Sequence, residues 1–192
     1  MRAMAAACAL ALVGSACGRR ETGEVRGGAP KPYGFGRPAA ADEVRAWDID
    51  MMPDGSGLPA GSGTASRGAL LYQRKCAACH GKTGTEGPFD PLVARERRPD
   101  FPFGRDPTLV KAIGNYWPYA TTLYDYINRA MPLDAPGSLK PDEVYSLVAF
   151  LLWRNGITAD TAVMSAQSLP RVVMPAHDRF VLDNRRGGRE IR

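Results

Sequence analysis

The sequence predicts an all-α domain of about four helices, on three observations. Apolar residues recur at offsets of three and four in two stretches, around Leu70-Leu71 and through Ala120, Leu123, Tyr124 and Ile127. A third stretch, Val144 to Trp153, is almost wholly apolar and is bracketed by helix start and stop signals. No alternating apolar/polar run is long enough to make a useful strand.

The elements follow in chain order. Ala41 to Trp47 is short enough to be either one or two helical turns or a strip lying across the domain. The first firm helix begins near Thr64, with Thr64 or Ser66 as its cap, and runs through Gly68 to Lys75. Asp106-Pro107 have the chemistry of an N-cap and first helical residue, so a second, short helix is expected from there to Gly114. A third is expected from about Thr121 to Ala130. The fourth opens at Pro141-Asp142-Glu143, whose acids suit the positive end of the helix dipole, and ends at Asn155-Gly156. Beyond it the chain turns irregular, and Ser168 to Pro175 reads as an extended strip wrapped over the domain.

At 192 residues the chain has room for one core with extensions. Hydrophobic residues at 44% and charged residues at 23% are ordinary for a globular protein, so the 21 Gly and 16 Pro must fall at ends and loops. The expected division is an export signal over 1–16, a Gly/Pro-rich flexible arm over 17–63, a helical domain over 64–157 and an irregular extension over 158–192. A net charge of +5 without a basic stripe or recognition motif argues against a nucleic-acid partner. The basic tail from Arg185 to Arg192 reads as a solvated end.

Met1-Arg2, the apolar run from Ala3 to Val13 and Gly14-Ser15-Ala16 have the three regions of an export signal. The run is too short for a permanent span, which needs about 20 apolar residues. The expected location is therefore the periplasm. Gly14-Ser15-Ala16-Cys17-Gly18 resembles a bacterial lipoprotein signal, in which lipidated Cys17 would anchor the chain to a membrane; simple secretion is the alternative. Cys8 leaves with the signal, so Cys76 and Cys79 remain as thiols for other chemistry.

Those two belong to Cys76-Ala77-Ala78-Cys79-His80. Thiols three positions apart can add to the two vinyl groups of one haem, and the adjoining imidazole reaches the iron from the same turn. A zinc site needs four ligands, and the other candidates, Cys8, Cys17 and His177, include two in or at the signal. A thioredoxin-like pair needs a strand-helix setting, and the surroundings here read as helical. One covalently bound haem c is expected, with His80 as its first axial ligand.

Met131 is the candidate for the second. It stands in Arg129-Ala130-Met131-Pro132, between the third and fourth helices, where a loop can bring a thioether to the opposite haem face. Met52 and Met174 also precede prolines, but Met52 lies in the arm and Met174 beyond the last helix, which leaves Met174 second. A thioether opposite histidine raises the reduction potential and fills the sixth position, favouring electron transfer over catalysis. Tyr116 and Trp117 could line the haem or hydrogen-bond a propionate, and equally could be core aromatics. Arg97, Arg98 and His177 read as surface residues.

Gly68 and Leu71-Tyr72 before Cys76-Ala77-Ala78-Cys79-His80-Gly81, with Met131-Pro132 and the last apolar helix, resemble the class I cytochrome c pattern. That resemblance implies the cytochrome c fold, with the glycine in close contact with the C-terminal helix. A narrower resemblance covers Gly114 to Pro132, Asp142 to Tyr145 and Ser168 to Pro170. This run is similar to the cytochrome c subunits of bacterial sulfane and sulfite dehydrogenases. It implies a periplasmic dehydrogenase with a molybdenum-cofactor subunit as electron donor, and another cytochrome or a terminal oxidase as acceptor. The sulfane dehydrogenase cytochrome carries two haem domains, whereas this chain has one attachment site, and Arg95 to Asp106 looks like a local insertion.

The expected function is thus a monohaem electron carrier, or the cytochrome subunit of an oxidoreductase complex rather than an independent catalyst. The alternatives are a haem catalyst, such as a peroxidase or thiosulfate-oxidising cytochrome, and a haem sensor, each with an open sixth site.

Overall fold

The computed structural model describes residues 33–97, 100–102 and 104–181. The chain divides into two units, Met1–Ala40 and a second beginning at Ala41. Of the first, residues 33–40 are described; they are exposed and carry no helix or strand. The expected export signal, Cys8, Cys17 and the basic tail lie outside the described residues.

In the second unit the order is α1 (Ala41–Trp47), β1 (Ser62–Thr64), α2 (Ala65–Lys75), α3 (Ala77–His80), α4 (Ile113–Tyr116), α5 (Ala120–Ala130), α6 (Pro141–Arg154) and β2 (Val163–Ser165). The fold is helical, as the apolar spacing predicts, with one small addition. β1 and β2 pair antiparallel through Ser62–Ser165, Gly63–Met164 and Thr64–Val163. Three-residue strands are too short to leave an alternating pattern in a sequence.

Helix α6 is the centre of the body. Its residues from Val144 to Leu152 are all buried, which explains why its sequence lacks a polar face. The Glu143 carboxylate accepts the Lys140 N–H at 2.9 Å, closing the first turn as the acidic opening suggests. Asp142 accepts the Ser62 N–H at 2.9 Å and so ties β1 to the same helix start.

α2 lies directly on α6. A Cβ at Gly68 would fall 1.9 Å from the Ser146 carbonyl oxygen, and one at Gly63 would fall 2.1 Å from the Ser146 nitrogen. Glycine is the residue that lets these backbones touch. α5 packs on another side of α6, with the Tyr124 and Tyr145 rings 4.5 Å apart. α2 starts where the sequence places it, with Thr64 Oγ1 accepting the Arg67 N–H at 3.4 Å.

Packing extends beyond residues 64–157 on both sides. Met51 and Leu58 rest against the core, while Met164, Leu169 and Met174 are inside it. Isolated apolar residues among Gly and Pro give no periodic signal, so composition alone reads these flanks as irregular. Ser168 to Pro175 does lie over the domain, and Val173 bridges to Tyr119. It is not fully extended, because Leu169–Arg171 forms a single 3-10 turn that buries Leu169.

The helix expected from Asp106 to Gly114 does not form. Asp106 Oδ1 instead accepts the Thr108 N–H at 2.9 Å and the Thr108 hydroxyl at 2.6 Å, a local turn that satisfies the cap without a helix. The helix in this region is α4, which passes through Gly114. That glycine serves close packing: a Cβ there would sit 2.5 Å from Asn155 Oδ1.

Asn155 does more than end α6. Its buried amide accepts the Ala94 N–H at 2.9 Å and donates to the carbonyls of Leu92 at 3.1 Å and Leu151 at 2.8 Å. Asn115 acts likewise, accepting the Ala112 N–H and donating to the carbonyls of Glu96 and Val110. These two amides hold the long connection between α3 and α4. Asn155→Ala strands buried backbone groups and is expected to lower stability by roughly 3 kcal/mol, read from the denaturant midpoint of the holoprotein.

Candidate haem-attachment site

α2 and α3 are almost one helix, interrupted at Cys76, whose φ of −126° leaves the helical region while its N–H still bonds the Tyr72 carbonyl at 2.9 Å. Cys76 is the N-cap of α3, whose single turn carries Cys79 and His80, with the Cys79 and His80 N–H groups at 3.1 and 2.9 Å from the Cys76 carbonyl. Residues three and four apart on such a turn share one face. Neither cysteine is in a disulfide; Cys76 is partly buried and Cys79 exposed. Burial, with a smaller contribution from Cys79, pushes the Cys76 thiol up to about 11, and Lys75 offsets part of that.

The turn is held from two sides. The buried Tyr72 hydroxyl donates to the Gly81 carbonyl at 2.9 Å, and burial keeps this phenol protonated well above its ordinary range. The loop after the turn folds back across it: the Phe89 N–H bonds the Cys79 carbonyl at 3.1 Å. A Cβ at Gly87 would fall 2.2 Å from that same oxygen.

His80 Nδ1 lies 2.9 Å from the Asp90 carbonyl oxygen. A carbonyl can only accept, so Nδ1 carries the hydrogen, which in the neutral ring leaves the lone pair on Nε2. This is the arrangement that orients a metal-binding imidazole and raises its basicity. Two cysteine sulfurs on one turn, placed to form thioethers, beside an imidazole whose Nε2 can ligate iron are the groups a covalently attached haem requires. Among the described residues no group of three or more His, Cys, Asp or Glu side chains is placed to hold a metal ion.

Met131 caps the C-terminal end of α5, its N–H bonding the Ile127 carbonyl at 3.1 Å, and its side chain is partly buried against the core. Met174 is 1% exposed and is part of the core itself. Tyr116 lies edge-on to Phe180 at 5.8 Å, beneath the Lys111 ammonium. Trp117, also against the core, is edge-on to Tyr126 of α5 at 5.7 Å. His177 pairs with Asp178 at 2.7 Å and lines a surface groove with Asp54, Tyr119 and Pro170.

Sequence reasoning passed over Asp90, Gly87 and Glu86. Asp90 acts through its carbonyl, which every residue type possesses, so nothing in its identity signals the contact. Glu86 is legible in retrospect, since Thr83-Gly84-Thr85-Glu86 spells a local cap. Its carboxylate accepts the Thr83 N–H at 2.9 Å, the Thr85 N–H at 3.0 Å and both threonine hydroxyls. Those bonds, with the Thr83 hydroxyl first, bring it down to about 2 from an ordinary 4.5. A depressed carboxylate stabilises the fold above its unfolded pKa and stops doing so as pH falls through its folded one. Thermal unfolding of Glu86→Gln should therefore show its largest deficit at neutral pH. That deficit should narrow steadily below about pH 5.

Residues 63–151 match the family model described as cytochrome c oxidase, cbb3-type, subunit III. No curated protein matches the chain. Among solved structures, a chain in the crystal structure of the sulfane dehydrogenase SoxCD from Paracoccus pantotrophus is 37% identical, with a TM-score of 0.69. The match covers 80% of this chain and 73% of that one.

Fold, attachment turn and relatives together define an electron-transfer protein, and the chain belongs to the class I c-type cytochromes, which carry covalently bound haem c. Within that class it resembles the cytochrome subunit of the sulfane dehydrogenase.

Proposed function

We propose that this cytochrome is an exported monohaem carrier that accepts electrons from a molybdenum-cofactor dehydrogenase acting on sulfite or sulfane sulfur. It passes them to another cytochrome or a terminal oxidase. The observation that supports the reading is the 37% identity, over four-fifths of the chain, to a protein of the sulfane dehydrogenase complex.

In this reading Cys76 and Cys79 would hold the haem through thioethers, and His80 Nε2 and the Met131 thioether would ligate its iron. Bound haem iron supplies a single-electron couple between its ferric and ferrous states. The residues here bind and orient: Asp90 fixes the imidazole tautomer, and Tyr72 fixes the turn that carries it. A Met131 thioether bound to the iron would leave no open position for a substrate, so chemistry on sulfur would belong to the partner. Tyr116 and Trp117 would line the haem or hydrogen-bond a propionate. Residues 1–16 direct export to the periplasm and Cys17 carries a lipid anchor; among the described residues no helix is long and apolar enough to cross a membrane.

The test is affinity capture of the tagged holoprotein from periplasmic and membrane extract, followed by stopped-flow reduction of its haem by the captured fraction plus sulfite. Capture of a molybdenum protein that reduces the haem supports the assignment. Capture of oxidase components alone, with no sulfite-dependent reduction, counts against it.

A further inference from the structure

Arg129 stands two positions before Met131 on the last turn of α5. One guanidinium nitrogen meets Asp125 Oδ2, a turn back on the same helix, and the other lies 3.2 Å from Asp50 Oδ1. The two carboxylates differ in kind. Asp50 is exposed, whereas the Asp125 side chain is 12% exposed and its Oδ1 is buried without a hydrogen-bond partner. A carboxylate so placed depends on its arginine for compensation, which separates this contact from an ordinary surface pair.

Asp50 is itself anchored. It precedes Met51, which rests on the core, and the next turn closes through the Met52 N–H to the Ser56 carbonyl at 2.9 Å. A Cβ at Gly57 would fall 1.9 Å from the Asp50 carbonyl oxygen, so this backbone is tightly folded on itself. Arg129 therefore joins the end of α5 to a fixed point on a separate segment. Met131 leaves the helix immediately afterwards, at φ −125° and ψ 146°, and Pro132 has no N–H with which to hold the chain. Its position depends on the turn that Arg129 clamps.

We propose that Arg129, gripping Asp125 and Asp50, is the positioning residue that holds the Met131 thioether at the axial position. This rests on the reading of Met131 as ligand. Loosening the clasp frees the last turn of α5 and makes the thioether a weaker, more readily displaced ligand.

The experiment measures cyanide binding to the ferric holoprotein, which requires the thioether to leave, together with the far-red sulfur-to-iron band and thermal unfolding. Arg129→Ala should bind cyanide about tenfold faster, the size of a coupling of ~1.4 kcal/mol. Arg129→Lys should recover part of the difference, and Asp50→Ala, at the exposed end, should move the rate in the same direction by less. If Arg129→Ala fails to fold, Arg129→Lys and Asp50→Ala decide: wild-type rates in both overturn the proposal. Lower thermal stability with an unchanged cyanide rate also overturns it, leaving Arg129 a purely structural residue. Met131→Ala separates the two levels: retention of the band there removes Met131 as ligand and this proposal with it. Loss of the band, alongside wild-type rates in the clasp variants, removes the positioning role alone.

Discussion

Met131→Ala is expected to abolish a weak far-red band of the ferric protein, lower the reduction potential and let carbon monoxide bind the ferrous form. The three effects share one cause. A thioether is a soft donor that favours ferrous over ferric iron, so its loss stabilises the oxidised state. The expected fall is on the order of 0.1–0.2 V, a modest part of the ~0.8 V that axial ligands command. Carbon monoxide then enters because alanine offers no replacement donor and Met174 is committed to the core. Spectroscopy with redox titration measures all three. A wild-type protein that binds carbon monoxide as readily as the variant would favour an open-site catalyst or sensor over a carrier.

Gly68→Ala carries the second large effect, on stability. The added methyl would meet the Ser146 carbonyl oxygen at 1.9 Å, its carbon at 2.6 Å and Phe150 Cβ at 2.7 Å. Two of these are backbone atoms, so no rotamer change relieves the overlap and α2 must lift from α6. Because α2 runs directly into the attachment turn, that movement also disturbs the Tyr72–Gly81 bond. A loss of about 3–5 kcal/mol is expected in denaturant unfolding of the holoprotein, against a change within ~0.5 kcal/mol for Leu70→Ala, which is exposed on the same helix. Equal stability of Gly68→Ala and the wild type would mean the helices do not touch there.

Gly68 also shows what a sequence makes legible. The resemblance to the class I pattern places this glycine against the C-terminal helix, and the structure puts it against Ser146. α2, α5 and α6 are readable because each carries either a periodic apolar stripe or an unbroken apolar run between start and stop signals. The attachment turn is readable because its chemistry needs those residue types at that spacing. Gly114 misleads, since a glycine that ends a helix and one that admits a neighbour look alike in sequence. The misplaced helix at 106–114 follows from that ambiguity. Asn155 reads as a helix terminator, and nothing local reveals that its amide also reaches Ala94 and Leu92. Long-range side-chain bonds and backbone acceptors are set by how the chain closes, which is why Asp90 stays silent in the sequence.

That silence bears on how the site tolerates evolutionary drift. The partner of His80 is a main-chain oxygen, and the Asp90 side chain is exposed and free of that task. Position 90 can therefore change its letter without altering the imidazole. It cannot change its distance from His80: a single inserted or deleted residue between 80 and 90 would present a different carbonyl, or none. For this stretch selection acts on length rather than spelling, and relatives that share no identity at position 90 should still keep the count.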